Sequence, residues 1–82
     1  MITIYQAEWC QYCKNVREWI SENLHGIPIV YVSQPYDRAK RKETWEVSNQ
    51  PFIPTMKDDE TGTVIADDDE KIIKYLQKKF KK

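Results

Sequence analysis

Two cysteines separated by two residues, Cys10 and Cys13, are the feature of this chain most able to do chemistry. Two thiols at positions i and i+3 of a first helical turn can close a disulfide without displacing the rest of a fold. Apolar residues recur after the pair at helical spacing, at Val16, Trp19, Ile20 and Leu24. This spacing places Cys10 at a helix N-terminus, where unpaired N–H groups and the helix dipole favour a thiolate. Cys10 is therefore the predicted nucleophile, and Cys13 the predicted resolving thiol.

A zinc site and a permanent disulfide are the two structural alternatives for such a pair. Structural zinc takes about four nitrogen or sulfur ligands, and the chain has no third cysteine and a single histidine, His25. One protomer therefore lacks the ligands to complete a zinc site. A permanent disulfide across so small a ring would constrain the unfolded chain very little. The pair therefore favours redox chemistry.

Length and composition are those of one small folded domain over residues 1–82. Apolar residues make up 40% of the chain, with three Trp and five Tyr, which is too apolar for a disordered chain. The formal net charge is zero, so the charge balance predicts neither nucleic acid nor a membrane surface as a partner. The sequence has no secretory signal and no apolar run of about 18 residues, which indicates the cytoplasm. In that compartment a CxxC pair is more often catalytic or metal-binding than structural.

The pattern along the chain predicts strands and helices in the order βαβαββα. Strands are expected at residues 1–6, 27–32, 53–57 and 63–66, the last two joined by a turn over residues 58–62. The second strand is nearly all apolar, as expected for a strand covered on both faces. Asp37 is a predicted N-cap for a helix to about Ser48, with Asn49 in the left-handed position after it. Asp67 or Asp68 begins the last helix, whose apolar stripe is Ile72, Ile73, Leu76 and Phe80.

The chain resembles the glutaredoxin branch of the thioredoxin-like superfamily in three features. They are the order of strands and helices, the CxxC after the first strand, and the Ile53-Pro54 pair at the third strand. The resemblance spans essentially the whole chain. It implies a single glutaredoxin-like domain with a thioredoxin-like α/β fold, in which helices flank a four-stranded mixed sheet. In that family the matching proline has a cis peptide bond beside the nucleophile. The residue before it, here Ile53, pairs through its backbone with the cysteinyl part of glutathione.

The segment from Thr61 to Leu76 is also similar to the end of a glutathione transferase N-terminal domain. Families of both kinds bind the γ-glutamyl end of glutathione at the start of this helix, through backbone N–H groups and an acidic or hydroxyl side chain. The resemblance therefore implies ligand roles for Asp68 and Asp69, with Asp68 foremost. Aspartates that open a helix ending in lysines also complement the helix dipole, so this structural alternative stays open.

Other positions follow or depart from the glutaredoxin pattern. Tyr12 is kept from the common Cys-Pro-Tyr-Cys motif, and in the family its ring flanks the glutathione groove. Gln50 stands where the resemblance implies a partner for the glycyl carboxylate. Glu8 carries a charge that would repel a thiolate, and Trp9 before the first cysteine is more like thioredoxin.

Positive charge for the glutathione carboxylates has several candidate sources. Lys14 and Arg17 lie one and two turns into the first helix, and Lys14 is also expected to stabilise the Cys10 thiolate. The basic run 38–42 on the second helix is predicted to be a solvated face. His25, far in sequence from the cysteines, is predicted to be a surface or C-cap histidine.

Together these patterns predict a small monomeric, cytoplasmic thiol–disulfide oxidoreductase. Glutathione is the expected cosubstrate, disulfide-containing proteins and glutathione mixed disulfides are the expected substrates, and no metal or prosthetic group is expected. Two alternatives stay open. One is a thioredoxin-type electron donor reduced by a flavoprotein reductase, which Trp9 and Glu8 favour. The other is a non-catalytic dimer that bridges an iron–sulfur cluster through Cys10 and glutathione.

Overall fold

The computed structural model describes residues 1–81, and its elements follow the predicted βαβαββα order. The strands are β1 (Ile2–Gln6), β2 (Ile29–Ser33), β3 (Thr55–Asp58) and β4 (Thr63–Ala66). The helices are α1 (Gln11–Asn23), α2 (Lys42–Ser48) and α3 (Asp69–Phe80), with a short 3₁₀ helix at Arg38–Lys40 before α2. The sheet order is β2-β1-β3-β4; β1 runs parallel to β2 and antiparallel to β3, and β3 runs antiparallel to β4. The predicted α/β class with a four-stranded mixed sheet is therefore confirmed.

The core lies between one face of the sheet and the helices α1 and α3. Successive side chains of a strand point to opposite faces, so Ile2 and Ile4 of β1 are buried together. Residues four apart share one side of a helix, which brings Ile72 and Leu76 of α3 onto the same core. The complete buried cluster is Ile2, Ile4, Val16, Ile20, Leu24, Met56, Ile72 and Leu76. None of the helices in residues 1–81 is long and apolar enough to cross a lipid bilayer.

Strand β2 lies at the edge of the sheet, so the prediction that this strand is covered on both faces was wrong. Val30 is 38% exposed and Tyr31 is 41% exposed. An apolar run of this length has the same sequence pattern in a central strand and in an edge strand. The position in the sheet depends on pairing with distant residues, which the local pattern does not encode.

The second helical region begins at Asp37 as predicted, but it is divided in two. The Asp37 carboxylate accepts a hydrogen bond from the N–H of Ala39 and caps the 3₁₀ helix, not a long α-helix. Arg41 then leaves the helical conformation, with φ −83° and ψ 65°, before α2 begins. The predicted end of α2 and the predicted start of α3 are confirmed, because Asn49 follows α2 at φ 57° and Asp68 caps α3 through the N–H of Lys71.

One buried carboxylate, Asp58, connects the turn between β3 and β4 to helix α3. Its side chain is fully buried and accepts hydrogen bonds from the Tyr75 hydroxyl, the Lys79 ammonium and the N–H of Glu60. Burial alone would raise the pKa of this carboxyl, but the hydrogen bonds from Lys79 and Tyr75 outweigh burial and lower the pKa to about 2. The sequence pattern presented Asp58 only as a turn residue.

The free energy of unfolding should therefore fall in acid through Asp58. The folded-state pKa lies below the ordinary value of 3.8, so the ionised carboxylate stabilises the fold above about pH 4, and this stabilisation is lost as the pH falls towards about 2. Asp58→Asn should lower stability at neutral pH by about 2 kcal/mol and flatten the acid profile. Urea unfolding across this pH range measures both effects. The exposed neighbour provides the control variant, Asp59→Asn. If the stability of Asp58→Asn depended on acid in the same way as that of wild type, Asp58 would not be the carboxylate that stabilises the fold.

Candidate thiol site

The predicted nucleophile, Cys10, is the N-cap residue of α1. Its backbone is extended, with φ −82° and ψ 120°, and its Sγ accepts a hydrogen bond from the N–H of Cys13 at 3.3 Å. The Cys10 thiol in turn points at the carbonyl oxygen of Ile53, at 4.0 Å. The Ile53-Pro54 peptide bond is cis, as the sequence resemblance implied. A backbone N–H aimed at a sulfur is an arrangement that accommodates negative charge on that sulfur during thiol chemistry.

The second cysteine, Cys13, lies one turn into α1 and is fully buried. It belongs to a small cluster with Ala7, Cys10 and Ile53, and both cysteines are free thiols. Burial raises the pKa of Cys13 to about 12, and its hydrogen bond with Cys10 acts in the same direction. A backbone hydrogen bond with Ala7 and the charge of Arg17 oppose that rise. Cys13 is therefore a protonated thiol at neutral pH, packed among Ala7, Cys10 and Ile53.

A groove of about 510 Å³ lies next to the cysteines and has an acidic wall. It is lined by Tyr12 and Pro54, and by the residues that open α3, Asp67, Asp68, Asp69 and Glu70. The N–H of Asp67 donates to the carbonyl of Pro54 at 3.0 Å, which fastens the start of α3 to the cis-proline loop. The structure thus brings Tyr12, Pro54 and both predicted aspartates together. Although these carboxylates are adjacent, no group of three or more His, Cys, Asp or Glu within residues 1–81 is arranged to hold a metal ion.

The two predicted aspartates also have structural partners. Asp68 caps α3, and Asp69 accepts a hydrogen bond from the side-chain amide of Asn15 on α1 at 3.0 Å. The capping role considered as the alternative for Asp68 is therefore present. A ligand role for either aspartate stays a prediction, and an N-cap carboxylate uses only part of its acceptor capacity.

A second groove, of about 710 Å³, adjoins Trp9, the residue before Cys10. Its other lining residues are Tyr36, Asp37, Arg38 and Arg41. The aromatic rings of Trp9 and Tyr36 lie 5.2 Å apart and are tilted by 57°. This groove therefore combines aromatic surface with guanidinium groups, and its polarity is opposite to that of the acidic groove.

Arg41 is buried, so the prediction that the basic run 38–42 is a solvated face was wrong for this residue. Arg41 is 3% exposed, and its guanidinium donates to the carbonyls of Pro35, Tyr36 and Pro51 at 2.8 to 3.0 Å. It also lies 5.7 Å from the ring centroid of Trp9. Among residues 1–81 Arg41 forms no ion pair with a carboxylate, so its charge faces carbonyl dipoles and the Trp9 ring. A run of basic residues has no sequence signal that marks one of them as buried.

Two further predicted site residues, Gln50 and Lys14, make local contacts. The Gln50 side-chain oxygen accepts from the N–H of Phe52 at 2.8 Å, and its amide nitrogen donates to Ser48 Oγ at 2.6 Å. Gln50 therefore shapes the loop that leads to Pro54, with its amide already engaged. The Lys14 ammonium lies 3.6 Å from the carboxylate of Glu18, one turn further along α1. Their proposed roles towards glutathione and Cys10 stay predictions.

The family model for the glutathione S-transferase N-terminal domain matches residues 4–82. The chain belongs to the glutathione S-transferase N-terminal domain family. Human glutathione transferase theta-2, solved with glutathione and an unknown ligand, superposes with a TM-score of 0.80 at 20% identity, covering 98% of this chain and 32% of that chain. Glutathione S-transferase isozyme E7 from Drosophila melanogaster superposes with a TM-score of 0.78 at 27% identity, covering 100% of this chain and 36% of that chain. Glutathione transferase Omega 3C from Trametes versicolor superposes with a TM-score of 0.73 at 19% identity, covering 96% of this chain and 33% of that chain.

This glutathione S-transferase N-terminal domain thus spans about a third of the length of these solved transferases. The comparison with curated proteins gives no match. The resemblance to transferase N-terminal domains that the segment 61–76 indicated, and the thioredoxin-like fold, are both confirmed.

The burial of Cys13 makes a labelling experiment decisive for the state of the two thiols. In the reduced folded protein, iodoacetamide at about pH 8 should alkylate Cys10 and leave Cys13 unmodified. With a pKa of about 12, only about one Cys13 in ten thousand is a thiolate at that pH. Mass spectrometry of peptides counts the label, and the urea-unfolded protein is the control in which both thiols react. Equal labelling of both cysteines in the folded protein would contradict this description of the site.

Proposed function

We propose that this domain is a glutathione-dependent thiol–disulfide oxidoreductase that reduces glutathione mixed disulfides and protein disulfides. The observation that carries the proposal is the position of Cys10 at the N-cap of α1, with the N–H of Cys13 on its sulfur and the carbonyl of Ile53 facing it. Membership of a glutathione-binding transferase family supports glutathione as the cosubstrate. The human theta-2 transferase that shares the fold was solved in complex with glutathione.

The proposed reaction begins with attack of the Cys10 thiolate on the glutathionyl sulfur of a mixed disulfide. A bond forms between Cys10 Sγ and that sulfur while the substrate S–S bond breaks, and the substrate thiolate leaves and takes up a proton. A second glutathione can then attack the same glutathionyl sulfur, which releases oxidised glutathione and returns Cys10 as a thiolate. The net reaction converts the mixed disulfide and one free glutathione into the substrate thiol and oxidised glutathione, so the cycle balances without a bound redox group.

Cys13 provides a second route out of the same intermediate. Its thiolate attacks Cys10 Sγ, the bond from Cys10 to the glutathionyl sulfur breaks, and glutathione leaves as a thiol. The protein is left with an internal disulfide that two further glutathione molecules reduce. Since Cys13 is buried and protonated at neutral pH, this route is expected to be the slower one when glutathione is plentiful. A protein substrate held on Cys10 needs it more, because an attached protein obstructs an external thiol.

The two grooves next to the cysteines suit the two charged ends of glutathione. The acidic groove complements the α-amino group of the γ-glutamyl residue, and the groove containing Arg38 and Arg41 complements the glycyl carboxylate. Trp9 and Tyr12 line different grooves and flank Cys10 in the sequence, so a ligand that spans both grooves would pass its central cysteine close to Cys10. In this proposal the glycyl end binds at the second helical region and not at Lys14.

A thioredoxin-type electron donor is the second candidate, and one observation favours it. Trp9 is 56% exposed and Tyr36 is 81% exposed, so the surface beside Cys10 offers aromatic area that a reductase or another protein partner can cover. The proposal and this alternative differ in their reductant. Two parallel assays separate the two functions. One measures turnover of a glutathione mixed disulfide with glutathione and glutathione reductase, and the other uses thioredoxin reductase as the source of electrons.

Cysteine variants should behave differently in the glutathione assay. Cys13→Ser is expected to keep at least about half of the wild-type rate towards a glutathionylated peptide, because a second glutathione completes the cycle. Cys10→Ser should have no measurable rate. Two results together would establish the thioredoxin-type alternative. Cys13→Ser would be inactive towards the glutathionylated peptide, and the wild-type protein would accept electrons from thioredoxin reductase.

The same Cys10→Ser protein also tests for transferase chemistry. Conjugation of glutathione to chlorodinitrobenzene that survives this substitution would show that the site serves conjugation and not disulfide exchange, and the redox proposal would then fail.

Charge at the second groove should affect the affinity for glutathione. Arg38→Gln is expected to raise KM for glutathione by about threefold to fivefold with kcat unchanged, since an exposed ion pair contributes up to about 1 kcal/mol. Glutathione ethyl ester, which lacks the glycyl charge, should have the same KM with wild type and variant. Lys42→Gln is the matched control, because its side chain lies on the exposed side of α2 and pairs with Glu46. An equal effect of Arg38→Gln on the acid and the ester would contradict this orientation.

A further inference from the structure

Arg17 of α1 has its guanidinium turned towards the loop that precedes Cys10. One nitrogen donates to the side-chain oxygen of Gln6 at 2.6 Å and to the carbonyl of Ala7 at 3.2 Å, and the other donates to the carbonyl of Glu8 at 3.4 Å. The Arg17 side chain is 21% exposed and also lies 3.7 Å from the Glu8 carboxylate. Four contacts to three consecutive residues fix the path of the chain from β1 to the thiol site.

Ala7 is the residue through which this arrangement reaches both cysteines. It is 3% exposed and packs in one cluster with Cys10 and Cys13. Its carbonyl accepts the N–H of Cys10 at 3.2 Å as well as the Arg17 guanidinium. Ala7 therefore connects the Arg17 guanidinium to the packing around the buried Cys13.

Arg17 also lies four residues after Cys13, so the two side chains share one face of α1. Cys10 and Arg17 are the titratable groups that act on Cys13, and Arg17 is the one whose positive charge favours a Cys13 thiolate. The Glu8 carboxylate faces Arg17 and reduces this effect in part. Cys13 must lose its proton before it can attack a disulfide.

We propose that Arg17 is a positioning residue for the second cysteine: by holding Ala7 against both thiols and placing a positive charge beside Cys13, it sets the rate at which Cys13 closes a disulfide with Cys10. The proposal rests on the proposed function, in which Cys10 reacts first. In the closing step the Cys13–Cys10 S–S bond forms, and the bond between Cys10 and the substrate sulfur breaks. The departing thiolate takes a proton equivalent to the one that Cys13 loses. Arg17 transfers no proton or electron in this step.

The test uses the chromogenic disulfide dithiobis(nitrobenzoate) at one molecule per protein, so that the two steps are recorded separately. Attack by Cys10 releases the first thionitrobenzoate, and closure by Cys13 releases the second. In wild type two releases are expected, and in Cys13→Ser only the first. Mass spectrometry distinguishes the closed internal disulfide from the mixed disulfide on Cys10.

Arg17→Met should slow the second release about threefold to fivefold, the range expected for the loss of one partly exposed charge contact, and should alter the first release less than about twofold. Arg17→Lys, which keeps the charge but loses the paired donors, should slow the second release by less than Arg17→Met. The exposed Lys74→Met on α3 is the charge-matched control, with both releases unchanged.

Several outcomes would overturn the proposal. One is an unchanged second release in Arg17→Met. Another is an equal slowing of both releases, which would show that Arg17 has a general structural role. If Arg17→Met does not fold, as judged by thermal unfolding, Arg17→Lys decides, and an unchanged second release in that variant overturns the proposal. The reagent contains no glutathione, so closure can be measured even if the glutathione assays fail. Failure of the Arg17 proposal is thereby distinguishable from failure of the proposed function.

Discussion

The hydrogen bond from the N–H of Cys13 to Sγ of Cys10 is the interaction on which the site depends. It exists because Cys10 occupies the N-cap position, where a helix has N–H groups without intrahelical partners. Most N-cap residues offer an oxygen to such a group, whereas this one offers the atom that reacts. The core residues Val16 and Ile20 hold α1 against β1, so the position of the sulfur is fixed by apolar packing some distance away from it.

A second constraint is the separation of charge around a chain whose formal net charge is zero. Carboxylates gather where α3 begins, and a guanidinium without a carboxylate partner among residues 1–81 is buried near Trp9. Carbonyl dipoles from two loops balance the charge of Arg41, so burial of this cation also joins the loop after β2 to the loop before Pro54. The polarity of the site is thus produced by the same contacts that hold its loops together.

Sequence patterns predicted the features that depend on neighbouring residues and missed the features that depend on residues distant in the sequence. The caps at Cys10 and Asp68 and the left-handed Asn49 depend on neighbours within four residues, and all three are present. The inward turn of Arg41 depends on carbonyls up to ten residues away, and no periodicity marks it. The sequence indicates Arg17 as a candidate to bind ligand carboxylates, whereas its guanidinium contacts the segment just before Cys10. Asp58 is a turn residue by composition, and its burial depends on Tyr75 and Lys79 of a helix that the turn itself positions.

The two fastenings between β3 and α3 determine how the acidic groove can open. At one end the N–H of Asp67 bonds the carbonyl of Pro54, and at the other end Asp58 holds Lys79. A helix and strand joined at both ends move as one rigid body, so the wall formed by α3 has little freedom to swing outwards. The groove is also lined by the Tyr12 side chain, which is 63% exposed. Tyr12 is therefore free to change rotamer on the picosecond to nanosecond timescale of exposed side chains, while the α3 wall of the groove stays in place.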